Sequence, residues 1–470
     1  MKRKLCLFVC AICLVFNLSF ALSSCDINKS SGVASARINE NGELVLIYSD
    51  GAEQNLGVVV GKDGEDGQNG VDGKDGTNGQ DGQNGQDGED GRDGRDGQDG
   101  ANGSLVITGN GSNIPAASSK GLRSAVTIVS NFTGTVSQGG WRPGSGSTTT
   151  KEYYAEGSGV IYQLDKGEGD AFIITNYHVV YDTSSNTENG ISDDIDVYLY
   201  GSEVEDKVIE ATYVGGSLYY DIAVLRVEDS EILKESDACA VTVSDSDKVT
   251  VGDSAIAIGN AQGLGISTTA GIVSVDSEYI EMTAADGRTE VSFRVMRVDT
   301  AINSGNSGGG LYDAKGNLIG IVNAKIVYDG VENIGYAIPS NVAVSIAENI
   351  IDYCFGTDTE SVQRALLGIT VSINDSKAIY DTATGLIVIK ETVSVYDINV
   401  ESLADGVLQV NDILVSATIG NTTTDITRQY HVIDMMLDVR VGDVVTFSIL
   451  RNGEEMTVSL TITEDCLTAY

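Results

Sequence analysis

A mainly β protein is predicted by three observations. Short Val-, Ile- and Tyr-rich runs, parted by glycine and Asx turns, fill residues 121–355. Two alternating runs near the C-terminus, Val444 to Leu450 and Met456 to Ile462, meet at Asn452-Gly453, a tight-hairpin dipeptide. Helical spacing is confined to two short stretches, 340–353 and 427–438.

The chain has 470 residues, 41% of them hydrophobic, enough for two or three ordinary cores. Its net charge of −39 offers no basic face to neutralise phosphates, which argues against nucleic acid or an anionic membrane surface as partner. Residues 1–24 run from Lys2-Arg3-Lys4 through an apolar stretch to Leu22-Ser23-Ser24, the layout of a secretory signal. The ending resembles a bacterial lipobox, which implies that Cys25 becomes a lipidated N-terminus anchored in the cell envelope and facing outside the cytoplasm. An uncleaved signal anchor is the alternative. Cys239, Cys354 and Cys466 then remain, an odd set with no Cys/His cluster, so neither a disulfide framework nor a metal site is expected.

Residues 25–60 read as a short β-hairpin region, with strands such as Leu44 to Tyr48 between Asx-Gly turns. From Gly61 to Gly103 every third residue is glycine, the period that three polyproline-like chains need at a crowded axis. This looks like a collagen-like stalk, which would extend about 130 Å if helical. It holds no proline and many Asp residues, so a flexible acidic spacer is the competing reading. Residues 104–120 read as a linker. Residues 121–355 form an all-β barrel or sandwich closed by the 340–353 helix, and residues 365–465 form a second small unit.

The chemistry concentrates in Gly305-Asn306-Ser307-Gly308-Gly309, a serine in a glycine-rich turn. A serine hydroxyl needs a base and a carboxylate to orient that base. Only two histidines exist. His178 follows the apolar run Ala171 to Thr175, and Asp221 opens the run Ile222 to Leu225, giving the order His, Asp, Ser. His431, in Tyr430-His431-Val432, reads as a surface or groove-lining residue.

The runs "TNYHVV" at 175–180, "DIAVL" at 221–225, "AIGNAQGLGISTTAGIVS" at 257–274, "INSGNSGGGL" at 302–311 and "IGYAIPS" at 334–340 resemble the HtrA/Deg serine proteases. The resemblance implies a trypsin-like double β-barrel followed by a PDZ domain. It implies His178 as general base, Asp221 as its orienting carboxylate and Ser307 as nucleophile. The amides of Gly305 and Ser307 would face the oxyanion, with Asn306 shaping that turn, and no cofactor or metal is needed. In the pocket, Ala301 stands six positions before the serine, where trypsin carries a carboxylate, and Ile302 follows it, so small aliphatic side chains should precede the cut. Ser304 replaces the family's usual proline, and Val298 a usual threonine. Leu367, Gly368, Ile369 and Thr370 would receive a peptide strand in the PDZ domain.

The implied function is a membrane-tethered serine endopeptidase that degrades unfolded or damaged polypeptides. A homotrimer is implied both by the family and by a collagen-like segment. A processing protease with one dedicated substrate, and an adhesin or scaffold with vestigial proteolysis, are the alternatives.

Overall fold

The computed structural model describes residues 33–38, 43–48, 52–58, 114–138, 147–202, 207–324, 334–357 and 359–470. The signal, Cys25 and the Gly-x-y segment lie outside the described residues. The chain divides into two compact units, Met1–Gln98 and Asp99–Tyr470.

Among its described residues the first unit has three strands, β1 (Val33–Ile38), β2 (Glu43–Tyr48) and β3 (Glu53–Val58), in one antiparallel sheet. The anticipated hairpin thus gains a third strand, which suits the rule that a lone hairpin is marginal in water.

Among the described residues of the second unit, helix α1 (Ile114–Leu122) comes first, partly within the 104–120 stretch that the sequence reads as linker. Pro115 sits in the first turn, where its missing N–H is harmless. Small residues let α1 lie close to its neighbours: a Cβ on Gly121 would meet Ile258 Cδ1 at 2.6 Å.

The first barrel comprises β4 (Ala125–Gln138), β5 (Ser147–Asp165), β6 (Asp170–Thr175), β7 (Asp194–Leu199), β8 (Ile209–Ser217) and β9 (Ile222–Val227), closed in the order β4-β5-β6-β9-β8-β7. The one-turn helix α2 (Tyr177–Val180) follows β6, and α3 (Glu231–Glu235) follows β9. The second barrel comprises β10 (Ser254–Gly259), β11 (Ser267–Thr283), β12 (Glu290–Val298), β13 (Gly310–Tyr312), β14 (Leu318–Val322) and β15 (Gly335–Pro339), closed in the order β10-β11-β12-β15-β14-β13.

Strand alternation feeds distinct cores from one strand. In β9, Ala223, Leu225 and Val227 fill the first barrel, while Ile222 and Val224 pack into a cluster between the barrels. In β10, Ala255 and Ala257 fill the second barrel, and Ile256 and Ile258 join the same seam. Both faces are buried, which is why these strands read as unbroken apolar runs. Helix α4 (Ser340–Tyr353) closes the seam with Val342, Ala343, Ile346, Ala347 and Ile350, spaced at three and four residues. Truncating a fully buried isoleucine such as Ile256 would cost about 2–5 kcal/mol.

The C-terminal domain adds β16 (Gln363–Ala365), β17 (Ile369–Asp381), β18 (Leu386–Ile398), β19 (Ile413–Ile419), β20 (Thr422–Asp425), helix α5 (Gln429–Asp434), β21 (Val444–Arg451), β22 (Glu454–Thr461) and β23 (Leu467–Ala469). Its main sheet runs β17-β18-β19-β21-β22, with β20 on β19, so β17 is an edge strand. Asn452 and Gly453 both take positive φ, 55° and 85°, as the hairpin dipeptide requires. The β17–β18 pair is long, each strand reaching thirteen residues.

Candidate active site

His178 is held by two side chains and a strand end. At the end of β6, Thr175 Oγ1 donates to Ser158 O at 2.7 Å, and just past it Asn176 Nδ2 donates to Asp221 O at 2.7 Å. The His178 backbone N–H donates to Asp221 Oδ1 at 3.0 Å, and His178 Nδ1 stands 2.7 Å from Asp221 Oδ2. With a carboxylate on Nδ1, that nitrogen carries the proton and Nε2 is left as the proton acceptor. The side chains are 20% and 6% exposed, so this pair works in a low-dielectric pocket with access from one side.

Asp221 takes φ 55°, in the left-handed region that non-glycine residues seldom enter. Aspartate tolerates it better than most, and the surrounding donors hold it there. One of these donors is Asn323, a fully buried residue just past β14, whose Nδ2 donates to Asp221 Oδ2 at 2.8 Å. Nothing in the sequence singled out Asn323: it is one asparagine after an apolar strand, 102 residues from its partner.

The serine turn is anchored from both barrels. From β5, the Ser158 N–H donates to Ser307 O at 2.8 Å, and Ser158 Oγ donates to Gly305 O at 2.7 Å while accepting Asn260 N–H at 2.8 Å. From β14, Val322 O accepts Gly308 N–H at 3.0 Å. Gly308, at φ 81°, lies so close to the histidine-bearing segment that a Cβ there would fall 2.3 Å from Thr175 Oγ1 and 3.0 Å from Asn176 N. These ties set the serine turn beside the segment that carries His178.

Ser304 O accepts Gln262 N–H at 2.7 Å. Carbonyl and N–H point opposite ways in a trans peptide, so Gly305 N–H faces away from the 261–263 turn. Neither Gly305 N–H nor Ser307 N–H is bonded to another described residue, whereas Asn306 N–H donates to Asn303 O at 3.0 Å. Asn306 is thereby tied back into its own turn.

Ala301 is exposed, and its carbonyl accepts Thr269 Oγ1 at 2.9 Å. Ile302 packs against the second-barrel core beside Gly335. The nearest carboxylate in this segment, Asp299, is drawn off to β11, where its Oδ1 accepts Ile272 N–H at 2.6 Å. Leu367, Gly368 and Ile369 line a cavity of about 170 Å³ with Val371, Val432 and Met436, and Thr370 pairs with Asp397 in the ladder. His431 packs edge-on to Tyr430, accepts Thr427 N–H through Nδ1 at 3.3 Å, and has its basicity lowered by burial. Cys239, Cys354 and Cys466 are free, and among the described residues no group of three or more His, Cys, Asp or Glu could hold a metal. Among those residues no helix is long and apolar enough to cross a membrane.

Two closed six-stranded barrels with a serine turn and a His–Asp pair at their seam define a trypsin-like peptidase domain, and the model of that domain matches residues 157–321. A collagen triple helix repeat matches residues 58–113. The chain is 32% identical over 326 residues to the serine protease Do-like HtrA of Bacillus subtilis (67% of this chain, 65% of that protein). It is 31% identical over 326 residues to the HtrA of Lactococcus lactis subsp. cremoris (66% of this chain, 71% of that protein). Among solved structures, the HtrA-type protease AlgW with decapeptide is similar at a TM-score of 0.46 and 25% identity, covering 76% of this chain and 99% of that one. The chain belongs to the HtrA family of serine proteases.

Proposed function

We propose that this chain is a serine endopeptidase of the cell envelope that hydrolyses unfolded or damaged polypeptides. The observation that carries this reading is the 2.7 Å His178–Asp221 contact, which leaves His178 Nε2 as a base beside a serine turn with two open amides. Ser307 Oγ attacks the peptide carbonyl as Nε2 takes its proton. Asp221 holds Nδ1–H and stabilises the imidazolium, and the same proton then goes to the leaving amine. Gly305 N–H and Ser307 N–H receive the developing oxyanion, each donor being worth about 3 kcal/mol of barrier. Water completes the acyl transfer, with no cofactor.

The pocket before the cut takes small aliphatic side chains, since Ala301 brings no carboxylate and Asp299 is committed to β11. The C-terminal domain serves as a PDZ-type receptor in which a peptide adds to the β17 edge beside Leu367 to Thr370. Lipidated Cys25 tethers the chain to the membrane, and the Gly-x-y segment gathers three copies.

Casein digestion by the fragment 104–470, which retains α1, tests the reading against the same fragment carrying Ser307→Ala. Turnover in the first and none in the second is the expected result. Equal, negligible turnover in both would favour a scaffold. A peptide library should show cuts after Val, Ile or Ala, and predominant cleavage after Arg or Lys would overturn the pocket assignment.

A further inference from the structure

We propose that Tyr470 is a positioning residue of the peptidase site, its ring bracing, from the side of the C-terminal domain, the turn that presents Asp221. The inference rests on the peptidase reading above. Asp221 closes the turn between β8 and β9, and its φ of 55° persists only where the surroundings hold it. Part of that hold is aromatic. The rings of Tyr219 and Tyr220 meet at 5.0 Å between centroids, inclined at 70°. Tyr470 completes the group, edge-on to Tyr219 at 5.2 Å and 6.4 Å from Tyr220. Tyr220 is buried in the seam cluster, and Tyr219 and Tyr470 pack against it.

The ties on this group lead to three separate elements. Tyr219 Oη donates to Ser292 O of β12 at 2.6 Å, and Tyr220 N–H donates to Ser217 Oγ at the end of β8 at 3.2 Å. Tyr470 N–H donates to Val362 O at 2.8 Å, just past the pairing of β23 with β16, and the Arg364 guanidinium of β16 stands 5.2 Å from the centre of the Tyr470 ring. The segment before β16 reaches the same turn: Gly216 N–H donates to Glu360 O at 2.9 Å, and Val362 N–H donates to Gly216 O at 3.4 Å. Backbone from 360–362 therefore holds the entry to the turn, and the Tyr470 ring braces its exit. The contact is ring on ring, so the aromatic body and not the hydroxyl supplies the brace. Without that ring Tyr219 gains room to turn, and the backbone of Tyr220 and Asp221 is free to follow it. The carboxylate then meets His178 Nδ1, 2.7 Å away in the braced state, at a poorer angle. Asp221 orients the base and does not bind the peptide, so the loss falls on turnover.

The test uses the full-length chain with Tyr470→Ala, Tyr470→Phe, Tyr219→Ala and the double alanine variant, each assayed well below its own melting temperature. Tyr470→Ala should lower kcat about tenfold with KM within about twofold. It should also broaden the low-field proton signal of His178 Nδ1–H, which reports the bond to Asp221. The chain has only two histidines, so ¹⁵N-histidine labelling leaves two rings to tell apart. Tyr470→Phe keeps the ring and should hold both readouts near wild type. Tyr219→Ala removes the other half of the contact and should show the same loss, with Tyr470→Ala adding no more than about twofold to it. Wild-type kcat and signal in Tyr470→Ala would overturn the inference, as would a loss of kcat with the His178 signal intact. So would a Tyr470→Phe as impaired as Tyr470→Ala, or losses that multiply in the double variant, which mark independent structural damage. The proton signal is read without turnover, so failure of the peptidase reading, seen as no difference between wild type and Ser307→Ala, remains separate.

Discussion

Replacing Arg294 by Met would test how the C-terminal domain is joined to the second barrel. Arg294 lies on β12 with its side chain 2% exposed. It donates to Asp434 Oδ2 of α5 at 2.8 Å and to Asp247 Oδ1, in the turn before β10, at 2.6 Å, and its guanidinium sits 3.7 Å from the centre of the Tyr430 ring. Two carboxylates thus share one buried cation. Burial pushes the Asp434 carboxyl up to about 7, with Asp247 adding to the rise and Arg294 opposing it. Stripping the cation from a buried pair costs about 3–5 kcal/mol when the remaining charge stays ionised. Here protonation offers relief. Because the native pKa of Asp434 exceeds its unfolded value, its contribution to stability is fully present below about pH 4 and is lost as pH rises through 7. Without Arg294 the native value climbs further, so the loss continues to higher pH, at up to about 1.4 kcal/mol per pH unit for one proton. The wild type itself loses stability up to pH 7, so only the last unit separates the two, and the variant should fall short of wild type by about 1–2 kcal/mol at pH 6 and about 2–3 kcal/mol at pH 8. Urea unfolding of fragment 104–470 at both pH values, followed by circular dichroism, measures this. An equal deficit at pH 6 and pH 8 would refute the argument, because it would mean that no proton is taken up at Asp434.

Other perturbations act nearer the serine. Gly308→Ala would place a Cβ 2.2 Å from Ser158 O at a φ of 81°, so peptide turnover should fall by about two orders of magnitude or more, read against the melting temperature of the same variant. Ser158→Ala leaves Gly305 O and Asn260 N–H without their buried partner, which should cost about 1–3 kcal/mol in unfolding and lower kcat more than it raises KM. Burial pushes the Cys354 thiol up to about 11, with Glu360 adding to it, so iodoacetamide at pH 8 should alkylate Cys239 and Cys466 well before Cys354. Peptide mapping by mass spectrometry checks that order, and urea should level it.

The barrels and the shape of the serine turn were legible because each leaves a local trace. Apolar runs such as Ile222 to Leu225 record strands buried on both faces, and glycines 305 and 308 record positive φ beside the serine. Helix α1 was not legible, because Ala116-Ala117-Ser118-Ser119 has the composition of a linker, and the burial of Ala117 together with the close packing of Gly121 on Ile258 and Tyr312 appears only in the fold. The reach of β17 and β18 was hidden in the same way. Register shifts between Thr370 and Val371 and between Ile373 and Asp375 break the alternation that marks a strand. Asn323 and Arg294 are legible only in three dimensions, since their partners lie 102 and 140 residues away.

The site geometry follows from how the two barrels share a core. His178 follows β6, Asp221 precedes β9, Ser307 precedes β13 and Asn323 follows β14, so every group hangs from a strand end. β6 supplies Ile174 to the seam cluster, β9 supplies Ile222 and Val224, β13 supplies Tyr312 and β14 supplies Ile321. Sliding one barrel over the other would uncover these side chains, each worth about 1.5–3 kcal/mol of burial. The hydrogen bonds across the seam are fewer, with Ser158 reaching the serine turn and Asn323 reaching Asp221. The apolar seam therefore supplies the resistance to sliding, and the few polar ties convert that fixed placement into the orientation of Ser307, His178 and Asp221.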